Sequence, residues 1–236
     1  MMKNKILYLM VFLLAIVGLS SCEDETTEGF TDITYYPTLE VLGEPEIMIT
    51  VGSTYEDAGV VAELNGEDVT DQVEVTSNVD TSTGGVYSVN YKIENEEGFF
   101  VTGSRTVYVA DPTPSIISTG IHTTAEGTKR FWFSSEAVVN FSGYDILIFQ
   151  VEPDVFYISD FMGGYYDQRV GYGPGYAMNG YFKLNDDNTI TPISSIVPAW
   201  GDSMDAITSS SVDPTTGQIT YVMEYAGLME YTIIIN

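Results

Sequence analysis

Residues 85–95 read GVYSVNYKIEN and alternate without a break. Val86, Ser88, Asn90 and Lys92 fall on one side, and Tyr87, Val89, Tyr91 and Ile93 on the other. A period of two marks an extended strand with one buried face, so the second set is the predicted core face. The pattern recurs through the first half of the chain at about 8–12 residues, punctuated by turn signals. EIMITVG (46–52) is a strand with a glycine stop. VVAELNGEDVT (60–70) holds a strand and an Asn65-Gly66 hairpin turn. VEVTS (73–77) and TGSRTVYVA (102–110) alternate again. No helix of useful length interrupts them, so residues 36–110 are expected to form an all-β sandwich.

Asp111-Pro112-Thr113-Pro114 breaks this pattern. Two prolines cannot donate to a ladder and bias their neighbours towards extended backbone, which places a domain boundary here. Residues 115–236 are again β, and richer in aromatics. FWFSSEAVV (131–139) and DILIFQVEPDVFYISDF (145–161) are strand material. YFKL, NDDN and TITPIS (181–194) make a hairpin. The DPTTG turn (213–217) joins SSSV to QITYVMEYA, and MEYTIIIN ends the sequence. Roughly eight to ten mostly antiparallel strands are expected, closed as a barrel or stacked as a sandwich.

The chain carries 34 acidic against 8 basic side chains. Nucleic acid is therefore not expected as a partner, because phosphate binding needs clustered Lys and Arg. An anionic membrane surface is disfavoured for the same reason. The charge suits a soluble, self-repelling chain at a crowded cell surface. Calcium would need converging carboxylates, and no D-x-[DN]-x-[DN]-G loop is present.

At the N-terminus, Lys3 and Lys5 precede the apolar run Ile6–Gly18. As a helix that run would span roughly 20 Å, short of a hydrocarbon core of about 30 Å, so it is expected to be a signal peptide. Leu19-Ser20-Ser21-Cys22 resembles a bacterial lipobox. The resemblance implies cleavage before Cys22 and lipid on its thiol and new amine, with residues 1–21 removed. Cys22 is the single cysteine, which rules out a disulfide within one copy. Glu23-Asp24-Glu25 resembles the surface-export signal of Bacteroidetes lipoproteins, which implies an outer-membrane anchor facing the cell exterior. The same residues also suit a plain charged tether, and 22–35 are assigned as one.

YEDAGVVAELNGEDVTDQVEVTSNVDTSTGGVYSVNYKIENEEG followed by SRTVYV resembles the bacterial immunoglobulin-like repeats of secreted and surface proteins. The matching elements are Tyr55-Glu56-Asp57-Ala58-Gly59, Asp68-Val69-Thr70, Val79-Asp80, Gly85-Val86-Tyr87, Tyr91 and Arg105-Thr106-Val107. The resemblance implies a seven-stranded sandwich without a disulfide, used as a spacer or presenter. One departure is Glu94-Asn95-Glu96-Glu97-Gly98, where the family often has D-x-x-G-N. Residues 115–236 resemble a domain that follows such repeats in Bacteroidetes surface lipoproteins. The residues concerned are Phe156–Phe161, Gly163–Tyr166, Gly171–Gly173 and Asp213–Ile219. That resemblance implies a polysaccharide-uptake setting, with glycan or uptake-complex proteins as partners.

No catalytic constellation emerges. His122 is the single histidine and lacks a G-x-S-x-G elbow, so it is taken as structural or exposed. One histidine among carboxylates makes a poor zinc site, and neither metal nor cofactor is expected. GYGPG (171–175) lacks the strand-to-helix setting and lysine of a phosphate loop. Asp160, Asp167, Asp202, Asp205, Glu224 and Glu230 could supply a glycosidase pair, but so many acids pair by chance. The chain is read as non-catalytic. Sugar binding needs only aromatic faces and a few polar groups. Trp200, in PAWGDSMD with Asp202 beside it, either stacks on sugar or plugs the end of a barrel. Trp132 is expected in the core or on a sheet surface. Tyr165, Tyr166, Tyr172 and Tyr176 are either turn packing or exposed platforms, and strand alternation would send Tyr165 and Tyr166 to opposite faces.

Overall fold

The computed structural model describes residues 33–236. The signal-peptide, lipidation and export-signal assignments lie outside the described residues. Residues Pro37–Asn236 form one compact unit. Among the described residues no helix is long and apolar enough to cross a membrane.

The first half contains seven strands: β1 (Thr38–Val41), β2 (Glu46–Thr50), β3 (Val60–Leu64), β4 (Glu67–Asp68), β5 (Glu74–Ser77), β6 (Gly85–Glu94) and β7 (Phe100–Ala110). They form two sheets, β1-β3-β4 and β2-β7-β6-β5, antiparallel except for the parallel pair β2 and β7. This is the expected immunoglobulin-like sandwich. The alternation of 85–95 is realised: Val89, Tyr91 and Ile93 are buried, while Tyr87 is half-buried. At the hairpin between β3 and β4, Asn65 and Gly66 both take positive φ, +54° and +77°. That is the backbone of a type I′ turn.

The core between these sheets is thin and is crossed by a charge. Arg105 is 1% exposed and sits on β7. It donates to the backbone carbonyls of Leu42 and Glu44 and pairs with Asp57. Asp57 also accepts Tyr55 Oη at 2.8 Å, Tyr91 Oη at 2.7 Å and Gly59 N at 3.0 Å. Burial pushes the Asp57 carboxyl up, but these hydrogen bonds and the guanidinium outweigh it and hold the carboxyl below its usual range. The scattered elements Tyr55, Asp57, Gly59, Tyr91 and Arg105 are thus one network.

The second half contains ten strands: β8 (Gly120–Thr123), β9 (Lys129–Trp132), β10 (Ala137–Asn140), β11 (Asp145–Glu152), β12 (Val155–Ile158), β13 (Asn179–Leu184), β14 (Ile190–Ile196), β15 (Ala206–Val212), β16 (Ile219–Tyr225) and β17 (Met229–Ile235). Two five-stranded antiparallel sheets result, β10-β9-β17-β16-β15 and β14-β13-β12-β11-β8. The sandwich is realised and no closed barrel forms. The sheets touch at their edges, through the isolated bridge Thr124↔Ile235 and the Ser210 hydroxyl bonded to the Ile190 backbone. Neither seam is a continuous ladder. His122 is buried, with ring nitrogens 3.1 Å from Asn236 O and 2.8 Å from Ser118 O. It ties β8 to the end of β17.

On β11, Ile146 and Ile148 point into this sandwich, while Leu147, Phe149 and Val151 point outward. The outward row is covered by the first half. Tyr108 of β7 packs on Phe149 and Tyr157, with centroids 5.5 and 6.3 Å away, and Val86 joins them. The backbone bond from Asp111 N to Gln150 O at 2.7 Å and the Gln150 Nε2 donation to Thr113 O at 2.8 Å hold the junction. Gly84 lies so close to β11 that a Cβ there would collide with the Val151 carbonyl oxygen and fall 2.7 Å from Val151 Cα. Substituting Gly84→Ala must therefore push the two halves apart. The expected loss is about 1–3 kcal/mol in urea unfolding, with the larger effect for Gly84→Val. An unchanged midpoint would contradict the close approach.

Candidate functional site

Strands β9, β12, β14 and β16 finish at the same end of the second sandwich, and the loops that follow them gather there. The chain leaving β12 is captured by Asp160, which is 1% exposed. Its carboxylate accepts three backbone N–H bonds, from Met162 at 2.8 Å, Gly164 at 2.8 Å and Met178 at 2.8 Å. One side chain thereby fixes both the start and the end of the 161–178 segment. Burial raises its carboxyl to about 6, against the pull of the three N–H donors.

Between those fixed points the chain departs from the strand geometry expected of it. Tyr165–Arg169 is a π-helical turn and Pro174–Tyr176 a 3₁₀ turn. Gly163 and Gly164 take φ of +64° and +78°, which reverses the chain into the turn. The GGYY and GYGPGY segments therefore lie in the loop between β12 and β13. Tyr165 and Tyr166 still differ in burial, but strand alternation is not the cause.

Tyr165 is 4% exposed and packs on Phe141 and Tyr231, with centroids 5.1 and 5.7 Å away. Tyr166 is half-buried and joins three other aromatics in a closed ring of contacts. Its centroid lies 4.9 Å from Trp200, edge to face, and 6.1 Å from Tyr172, stacked. Tyr172 meets Tyr176 at 5.2 Å, and Tyr176 returns to Trp200 at 5.1 Å. Each contact lies within the range of favourable aromatic pairing. Tyr172 is 56% exposed and Trp200 42% exposed. The loop backbones are joined as well, through Ala199 N to Gly175 O at 2.8 Å. Two loops far apart in sequence thus build one aromatic surface.

Asp202 lies beside this ring and receives the Tyr225 hydroxyl on both oxygens, at 2.9 and 2.8 Å. Asp205 accepts Gly227 N at 2.7 Å. Glu224 and Glu230 face each other across β16 and β17, on the side opposite buried Met223, Tyr225, Met229 and Tyr231. Asp167 is half-buried in the π turn, and burial raises its carboxyl. Asp160 is sealed beneath the loops, Asp167 sits in the turn, Asp202 and Asp205 are held by local donors, and the two glutamates pair on the outer sheet face. Trp132 is half-buried at the end of β9 and donates its indole N–H to Ser134 Oγ at 2.8 Å.

Sequence reasoning missed the organising role of Asp160 and the contribution of Tyr225. A signal for the first exists: an acid between Ile158 and Phe161, inside an apolar run, needs internal partners if that run is buried.

A family model for a bacterial surface protein Ig-like domain matches residues 39–109, and a second, for a C-terminal domain, matches residues 111–236. The crystal structure of a lipoprotein from Bacteroides thetaiotaomicron is 51% identical, with a TM-score of 0.68 over 85% of this chain and 100% of that one. The chain belongs to the same family as this lipoprotein. A Bacteroides ovatus structure of unknown function covers 85% of the chain and 94% of its own, at 10% identity and a TM-score of 0.34. A Clostridium perfringens structure, containing a carbohydrate-binding module in complex with GlcNAc, covers 84% of the chain and 43% of its own, at 14% identity and a TM-score of 0.26. Likeness that distant carries no argument about this chain. No curated protein matches it.

The Asp160 geometry sets a pH dependence. Its carboxyl titrates near 6 when folded and near 3.8 otherwise, so the folded state holds the proton more tightly. The stability this contributes is full below pH 3.8 and is lost as pH rises through 6. That difference in proton affinity corresponds to about 3 kcal/mol. Asp160→Asn is expected to flatten that part of the stability–pH curve in urea titrations from pH 4 to 7. It should also lower stability at neutral pH, because its amide N–H groups face N–H donors.

Proposed function

We propose that this protein is a non-catalytic, lipid-anchored protein of the outer membrane, facing the cell exterior, that captures glycan on its aromatic end. The supporting observation is the closure of Tyr166, Tyr172, Tyr176 and Trp200 into one contact ring, with Tyr172 and Trp200 exposed. Sugar rings present C–H faces that stack on aromatic side chains, and polar groups at the rim bond the hydroxyls. Asp202, held by Tyr225, is such a rim group. The rings brace one another, so little side-chain freedom is lost on binding. Cys22 would carry the anchor, in keeping with a relative that is itself a lipoprotein.

A second reading is a structural role, with the same end contacting a protein of an outer-membrane uptake complex. Phe133 and Leu228 favour it. They are 41% and 48% exposed and are joined by a 3.0 Å backbone bond. Exposed apolar side chains of this kind suit a protein contact.

Affinity electrophoresis of the soluble chain, residues 23–236, across a polysaccharide panel separates the two. Retention by at least one glycan is expected, and Trp200→Ala should weaken it by roughly ten-fold. No retention by any polysaccharide rejects the glycan reading. For the anchor, Cys22→Ala should abolish incorporation of labelled fatty acid in cells, and continued labelling would refute it.

A further inference from the structure

In a chain with 34 acidic side chains, an arginine without a carboxylate partner is unexpected. Among the described residues, ion pairs form only at Lys92 and Arg105. Arg130 and Arg169 instead converge on one ring. The Arg130 guanidinium carbon lies 4.7 Å from the Tyr165 centroid and 5.3 Å from that of Trp132. The Arg169 guanidinium carbon lies 5.1 Å from the same Tyr165 ring.

Arg130 pairs with Tyr231 in the register of β9 and β17, on the face that packs inward. Its Nε is buried and has no hydrogen-bond partner. Cation–π contact fixes a guanidinium in place but gives its N–H groups no acceptor. Arg169 is exposed, in the loop closed by Tyr172 N to Tyr166 O at 3.0 Å. The rings of those two residues belong to the aromatic surface, and the Tyr165 and Tyr166 centroids are 5.0 Å apart. The nearby acids do not answer the arginines. Asp160, Asp202 and Asp205 are engaged by other donors. Asp167, two residues from Arg169, forms no ion pair with it.

We propose that Arg130 and Arg169, stacked on Tyr165, form an anion-binding subsite at the edge of the aromatic surface. The glycan captured there carries a carboxylate or sulfate group, as uronic and sulfated sugars do. The guanidinium fork matches both anions, which a neutral sugar cannot exploit. Arg169 lies three residues from the exposed Tyr172 in the same loop, so a glycan chain running across that ring can meet it. This inference rests on the glycan-binding reading and narrows it.

The test uses the soluble chain, residues 23–236, in parallel binding assays against charged and neutral forms of one backbone. Polygalacturonate is compared with fully methyl-esterified pectin, and chondroitin sulfate with its desulfated form. These arms distinguish carboxylate from sulfate. Tighter binding of at least one charged form is expected, and it should weaken with added salt. Arg169→Gln is expected to reduce that binding by about ten-fold, from loss of a charge-assisted hydrogen bond. Arg130→Met should do the same, with Arg130→Lys restoring part of it. Because Arg169 is exposed, its variant tests the subsite even if Arg130→Met fails to fold. Equal binding of charged and neutral forms, or full binding by both arginine variants, overturns the subsite. If Trp200→Ala still weakens binding in that case, the glycan reading stands. Equal binding of polyglutamate also overturns it, by showing recognition of charge without sugar. Failure to bind any glycan overturns both.

Discussion

Strand β11, inside the sheet β14-β13-β12-β11-β8, has no face left for water, and the rest of the molecule follows from that. Ile146 and Ile148 serve one core, while Leu147, Phe149 and Val151 serve the other. An antiparallel sheet commonly leaves one face solvated and shows it as alternation. Here the outward row would be an apolar patch of the kind soluble proteins rarely expose. Covering it with β6 and β7 makes residues Pro37–Asn236 a single compact unit. The loops that build the aromatic end leave β12 and β14 of this same sheet, so its rigidity sets theirs.

Two buried ionisable groups do the local work, with opposite signs. Arg105 donates to the carbonyls of Leu42 and Glu44, which fixes the chain between β1 and β2. Asp160 accepts N–H groups from Met162, Gly164 and Met178, which fixes both ends of the aromatic loop. Each satisfies backbone that irregular geometry leaves without ladder partners. They differ in how their charge is answered. Arg105 meets a carboxylate, whereas Asp160 meets only peptide dipoles, and its proton affinity stays raised.

The strands were legible where one face alone is buried. Residues 85–95, the Asn65-Gly66 turn and the DPTTG turn all carry local signals, and the structure follows them. FWFSSEAVV was harder: it is two strands turning at Glu136, a non-glycine residue at φ +53°. The π turn had no local signature, because hydrogen bonds from outside the turn hold its flanks. The choice between barrel and sandwich rested on edge contacts made by Thr124, Ser210 and Ile235, which no strand pattern encodes. Candidate site residues could be picked as aromatics in loops. Their convergence, and the unanswered charge of Arg130, depend on which loops meet at one end of the sandwich.

The sealed junction also has a mechanical meaning. Domains joined by a bare linker swing, and small polar interfaces let them do so. Here Tyr108 is packed on Phe149 and Tyr157, and Gly84 lies against the β11 backbone. A pull on the aromatic end is therefore carried into β7 as shear across packed rings and strand backbones, and not absorbed by bending at Asp111–Pro114. A load applied at that end would be shared by the packed strands of the whole unit, as far as Pro37.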